Sequence, residues 1–202
     1  MFFNFDDLTA NQRYHLITQT VMPRPIAWIL TKNDSGNLNL APFSYFNALG
    51  SDPALLVVSI GNKSAILGKD TKVNLLREKE CVLHIPSEEL AEAVNMSASS
   101  FAYGESEITQ CGLNLDPFTE TLPRVSEAKI ALHCRLYDIH PVGNSSFDAV
   151  YLEILSMYVE NEAISQEGNH TFVDSTNIKP LGRLGGNDFA AFGGKITIKR
   201  PS

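Results

Sequence analysis

Two prolines one residue apart, Pro23 and Pro25, constrain more than anything else what this chain folds into. Each fixes its own φ and pushes the preceding residue out of the helical region, so a helix arriving there stops and the chain continues extended. Residues 26–31 then read as a strand, 33–37 as its turn, and 38–46 as a return strand broken by Pro42. Residues 55–60 are apolar on both faces and predict a central strand. Upstream of the prolines, 8–21 reads as a helix. Downstream, the pattern predicts a helix over 70–78 with Val73, Leu75 and Leu76 inward, then a strand over 81–85. A second helix over 88–96 buries Leu90, Ala91, Val94 and Met96. Residues 97–124 are irregular, with one helical turn near 105–109, and long strands follow over 128–140 and 147–159. A short strand over 195–199 ends the pattern. Strands dominate, and the early ones do not alternate with helices. The expectation is therefore a mainly β chain with inserted helices, a barrel rather than a doubly wound sheet, in one domain over residues 1–202.

Composition narrows the function. A formal charge of −7 excludes general nucleic-acid binding, which needs a basic face. The acidic, aromatic start lacks the basic residues and apolar run of a signal peptide, and the longest apolar run, 54–60, is too short to cross a bilayer. Those features predict a cytoplasmic protein that does not span a membrane. Three cysteines, Cys81, Cys111 and Cys134, form no CxxC pair and read as buried or free thiols. The five histidines show no metal-ligand spacing, so no metal site is expected, and no GxSxG or HExxH element is present.

Two segments carry candidate chemistry. In Lys69-Asp70-Thr71-x-x-Asn74, Asp70 or Thr71 suits an N-cap, and the orphan amides of the following turn, the Thr71 hydroxyl and Lys69 form a donor set for a phosphate. Ser59 and Lys63 lie close in sequence as further donors. The competing reading is an ordinary capped surface helix. In the hairpin from Arg24 to Phe46, backbone amides of Asn39, Leu40 and Ala41 beside Pro42 offer a polar edge to a flat ring, and Ser44 offers a hydroxyl. There the competing reading is a core hairpin filled by Trp28, Phe43 and Phe46. Taken together the segments suit a mononucleotide with a ring end and a phosphate end, FMN being the candidate. The glycines of Leu181-Gly182-Arg183-Leu184-Gly185-Gly186 match neither a dinucleotide fingerprint nor a P-loop and read as turn and packing positions. Arg183, flanked by them, is a candidate for a ligand phosphate or carboxylate.

The sequence resembles the flavin reductase-like family at three motifs in order: Pro23-Arg24-Pro25-Ile26-Ala27, Asn39-Leu40-Ala41-Pro42-Phe43-Ser44, and Lys69-Asp70-Thr71-x-x-Asn74. The likeness continues through Tyr103-Gly104-Glu105-Ser106-Glu107-Ile108, Gly112-Leu113 and the Arg183-Leu184-Gly185-Gly186 tail. It departs at Leu30 and at Asn187-Asp188-Phe189. The resemblance implies an FMN-binding split β-barrel, a homodimer with FMN at or near the subunit interface, and NADH or NADPH as co-substrate. By position, Asn39, Leu40, Ala41 and Ser44 serve the ring and ribityl chain; Ser59, Lys69, Thr71 and Asn74 serve the phosphate; Trp28, Ile29 and Thr31 border the site. No catalytic side chain is implied, because the flavin carries the chemistry. Family activities include flavin reduction and electron delivery to a partner protein. The alternatives are a flavoredoxin-type electron carrier and a non-enzymatic FMN-binding protein.

Overall fold

The computed structural model describes residues 1–62, 68–99, 106–199 and 201. Seven strands form one antiparallel sheet: β1 (Ala27–Lys32), β2 (Leu38–Phe43), β3 (Phe46–Ser51), β4 (Ala54–Gly61), β5 (Glu80–Ile85), β6 (Ile130–Pro141) and β7 (Phe147–Val159). Their spatial order is β2–β1–β5–β6–β7–β4–β3. The two edge strands are thus consecutive in the chain and joined only by Ser44 and Tyr45. Laid flat, seven strands span about 29 Å, whereas that link reaches at most about 11 Å. The sheet must curl until its edges approach, and it remains a split barrel because β2 and β3 do not pair.

Side-chain alternation fills both faces of the curled sheet. Ala27 and Ile29 join Leu56, Val58, Ile60, Leu83, Val150 and Leu152 in one core. Ile26, Trp28 and Leu30 point the other way, into a second core with Val94, Ile108, Leu122 and Val125. Strand β1 is therefore buried on both faces, as is β5, whose Val82 joins the second core and whose Cys81 and Leu83 join the first. Residues 55–60, expected to be central, lie one strand from the edge; Leu56, Val58 and Ile60 are buried, while Leu55, Val57 and Ser59 are half-buried. Nor does Pro42 break its strand. It sits opposite Trp28 on edge strand β2, where a residue without N–H is tolerated.

The helices are α1 (Ala10–Thr20), α2 (Asp70–Glu78), α3 (Ala91–Met96), α4 (Glu107–Gln110) and α5 (Ser175–Ile178). In α2 the buried residues are Thr71, Asn74 and Leu75, while Val73 and Leu76 are exposed, the reverse of the expected stripe apart from Leu75. Met96, read into the buried stripe of α3, is exposed. Residues 195–199 form no strand, and Ile196 and Ile198 lie in solvent. Cys81 and Cys134 face each other across β5 and β6 as buried free thiols. The hydrogen bond that the Cys81 thiol makes to Cys134, and then burial, raise its pKa well above its ordinary range. Among the described residues no helix is long and apolar enough to cross a membrane.

His84 on β5 ties the layers together. It is fully buried; its ring contacts the Trp28 carbonyl through Nδ1 at 3.0 Å and accepts the Val125 amide through Nε2 at 3.0 Å. The Val125 N–H needs a lone pair at Nε2, which fixes the neutral tautomer with its proton on Nδ1, donated to Trp28. Burial lowers its pKa from 6.5 to about 4. The unfolded chain therefore takes up this proton first as pH falls. The contribution of neutral His84 is complete above pH 6.5 and declines toward pH 4, by on the order of 3 kcal/mol. Urea unfolding at pH 7.5 and 4.5 should show this loss on top of the carboxylate contribution. The His84→Gln variant, less stable at pH 7.5, should lose measurably less between the two pH values.

Candidate functional site

The phosphate-type donor set centres on the start of α2. Lys69, rather than Asp70 or Thr71, occupies the N-cap position, and it makes no side-chain cap bond. The contrast with α1 is direct, since Thr9 and Gln12 there form a complete capping box. The positive end of the dipole of this nine-residue helix favours an anion at its start. The Lys69 ammonium lies 5.3 Å from the centroid of the Phe43 ring, which places it at the end of β2. Ser59 is adjacent to the edge-to-edge link, its amide donating to the Tyr45 carbonyl at 2.8 Å. The residues present fit a phosphate: one cation, one half-buried hydroxyl and a helix start without a side-chain cap.

Beneath that surface lies a buried polar cluster. Thr31 Oγ1 accepts from Asn39 Nδ2 at 3.3 Å and from Asn74 Nδ2 at 3.0 Å. Asn39 Nδ2 also donates to Thr71 Oγ1 at 3.0 Å, and Asn74 Nδ2 to Asn33 Oδ1 at 2.8 Å. Arg77 Nη2 caps the group, donating to Asn74 Oδ1 at 3.2 Å and to the Lys32 carbonyl. Four expected site residues, Thr31, Asn39, Thr71 and Asn74, are thus brought together, but as a cluster that bolts α2 onto β1 and β2. Thr71 accepts in this network and still has its own hydroxyl proton to donate. Asn33 and Arg77 belong to the same cluster and were read from sequence as turn and solvated surface.

Other expected residues lie apart from it. Trp28, Ile29 and Leu40 are closed into the two cores, with the Trp28 indole donating to Ser97 Oγ at 2.9 Å. The Leu40 amide donates to Glu107 Oε2 at 2.9 Å. Asn39 and Ala41 stand opposite Thr31 and Ile29, and ladder alternation turns their amides toward β1 once that of Leu40 points outward. Ala41 and Ser44 are half-buried at the split. Lys63 and Tyr103-Gly104-Glu105 fall outside the described residues.

Ser44 and Arg183 share a pocket of about 130 Å³ that is also lined by Pro42, Asn95 and Phe189. Arg183 turns onto its own loop, donating from Nη1 to the Asp188 carbonyl and from Nη2 to the Gly186 carbonyl. Gly186 makes the turn at φ +62°, and a Cβ on Gly182 would stand 2.8 Å from Pro23 Cβ, so these glycines serve a turn and a close approach as expected. Asn95 carried no sequence signal, because it meets Arg183 only through the fold.

Residues 19–176 match the family model described as a flavin reductase like domain. A Pseudomonas fluorescens structure described as 2-nitrobenzoate 2-nitroreductase NbaA is 33% identical, covers 100% of this chain and 97% of its own, and superposes with a TM-score of 0.88. Nitrilotriacetate monooxygenase component B from Bacillus cereus is 29% identical over 98% of both chains, with a TM-score of 0.90. A Shewanella frigidimarina protein described as having a split barrel domain shares the fold at 21% identity and a TM-score of 0.85, covering 100% of this chain and 99% of its own.

The polar cluster makes a stability prediction. Asn74→Ala removes two donated bonds and the acceptor used by Arg77, inside a buried network. Urea unfolding should show a loss of about 3 kcal/mol. A loss within the range of ordinary surface substitutions would mean that the cluster does not hold α2.

Proposed function

Because the chain belongs to the flavin reductase-like family, we propose that it is an FMN-binding oxidoreductase that uses NADH or NADPH. The observation that carries this reading is the start of α2, where a lysine, Lys69, stands at the N-cap and makes no side-chain cap bond to the helix. The phosphate would be held there by first-turn amides, Lys69, Ser59 and the Thr71 hydroxyl, with Asn39 holding Thr71 from behind and Asn74 joined to the same cluster through Thr31. Ala41 and Ser44 would serve the ring at the split, with Trp28, Ile29, Thr31 and Leu40 buried behind them. When bound, FMN supplies the redox chemistry: with one proton it takes a hydride from NAD(P)H and leaves oxidised nicotinamide and reduced flavin. The protein's own part is to bind, orient and exclude water.

Two relatives bear on the electron acceptor. One is described as a nitroreductase and the other as a monooxygenase component, so direct reduction of a small acceptor and delivery to a partner protein are both consistent with the family. A flavoredoxin-type carrier without its own substrate is the second reading. A homodimer fits the exposed Leu49, Leu155 and Met157 on the main sheet, apolar side chains that one protomer leaves in water. A reducing, cytoplasmic setting fits the facing, unbonded Cys81 and Cys134.

Anaerobic mixing of FMN-loaded protein with NADH and with NADPH should bleach the flavin absorbance. Absence of bleaching by either, together with fast reduction by a reduced redox protein, would favour the carrier. Lys69→Ala should weaken FMN about ten- to hundredfold in a fluorescence titration, the scale of one charge-assisted hydrogen bond. Unchanged affinity would remove the phosphate from this helix.

A further inference from the structure

The pocket shared by Ser44 and Arg183 has the size of one six-membered ring. Its volume is about 130 Å³, close to the roughly 150 Å³ of a cavity that takes one benzene molecule. A single six-membered ring fills that volume. Ile26, Pro42 and Phe189 supply apolar wall, while Ser44, Asn95 and Arg183 supply the polar groups.

The charge of Arg183 is fixed in place without being neutralised. Two of its five N–H donors go to the carbonyls of Gly186 and Asp188, and its guanidinium stacks 4.6 Å from the Phe189 ring centroid. Those partners are neutral, and among the described residues no carboxylate forms an ion pair with it. Arg24 stands opposite Arg183 in an antiparallel pairing, so the two side chains leave the same side of that ladder. Arg24 is 5% exposed and its hydrogen-bond partners are also carbonyls: Thr18 at 2.6 Å, Val21 at 2.8 Å and Leu184 at 2.8 Å. Its Nε has no partner. Its guanidinium carbon lies 5.9 Å from the Tyr45 ring, next in sequence to Ser44. One guanidinium charge without a carboxylate partner among the described residues, Arg183, therefore lines a ring-sized pocket, with Arg24 paired opposite it in the ladder, on a chain whose formal charge is −7. The local field opposes the global one, which is the condition for selecting an anion.

We propose that this pocket is a subsite for a single aromatic ring bearing a carboxylate, with Arg183 as the residue that reads the carboxylate. The proposal rests on the flavoprotein reading to the extent that the bound ring is the acceptor being reduced, and it moves Ser44 and Arg183 from the flavin to that acceptor. Arg suits the task because its planar fork is already held by the loop, and three N–H groups remain for a carboxylate. A neutral carboxamide of the same size gains the apolar contact but not the charge.

The test is a titration of the full-length protein, flavin-free and FMN-loaded, with benzoate and with benzamide, followed by amide chemical shifts and calorimetry. Benzoate should bind at least tenfold more tightly than benzamide in both forms and should shift the Ser44, Asn95 and Arg183 amides. Arg183→Gln should abolish the preference, and Arg183→Lys, which keeps charge but not the fork, should restore part of it. Equal binding of the two probes, no benzoate binding through the millimolar range, or competition between benzoate and FMN would overturn the subsite. FMN affinity is read separately by flavin fluorescence. Selective benzoate binding by a protein that does not bind FMN would support the subsite and sink the flavoprotein reading. FMN binding without benzoate selectivity would sink the subsite alone.

Discussion

Ser44 and Tyr45 set the shape of this protein. A two-residue connection between opposite edges of a seven-stranded sheet leaves the sheet no choice but to curl. The curl turns one face into an enclosed core and the other into a surface that α3, α4 and the long connection after them cover. It also places the start of α2, the Phe43 ring and the Ser44 hydroxyl at the line where the barrel fails to close. The candidate site is where it is because the edges meet there without pairing.

What keeps the edges from pairing is local chemistry on β2. Its outward-facing amide at Leu40 is taken by Glu107, and the next outward position is Pro42, which has none. The buried cluster of Thr31, Asn39, Thr71 and Asn74 does complementary work. An apolar seam would let α2 slide or rotate on the sheet at little cost, whereas hydrogen bonds to specific amides fix its register. A helix start that must present amides to one ligand geometry needs that fixity.

The parts legible in the sequence were those with strong local signals. The strand Phe147–Val159 and the helix Asp70–Glu78 emerge at their expected bounds, because turn residues mark one and a motif marks the other. The inward face of α2 was misread, since Thr71 and Asn74 look like surface residues until Thr31 and Asn33 meet them. Strand β3 was missed because Asn47, Ala48 and Gly50 carry little strand preference; its pairing with β4 supplies what propensity does not. The alternation of 195–199 looked like a strand, but alternation does not supply a partner. Of the candidate site, the three motifs indicated a helix start and a ring-lining strand. They carried Ile26, Pro42 and Ser44 of the pocket wall, but not that Asn95 and Arg183 from distant stretches meet them there.

The Glu107–Leu40 bond has a consequence for how copies of this molecule can associate. Growth of a fibre by strand addition needs two complementary open edges on each subunit, so that every addition exposes another. Here the β2 edge is closed by a carboxylate and a proline, while β3 pairs only with β4 among the described residues. A main sheet with one open edge joins once through that sheet and stops. The same carboxylate that leaves the barrel split thus limits edge-to-edge assembly through the main sheet to two copies.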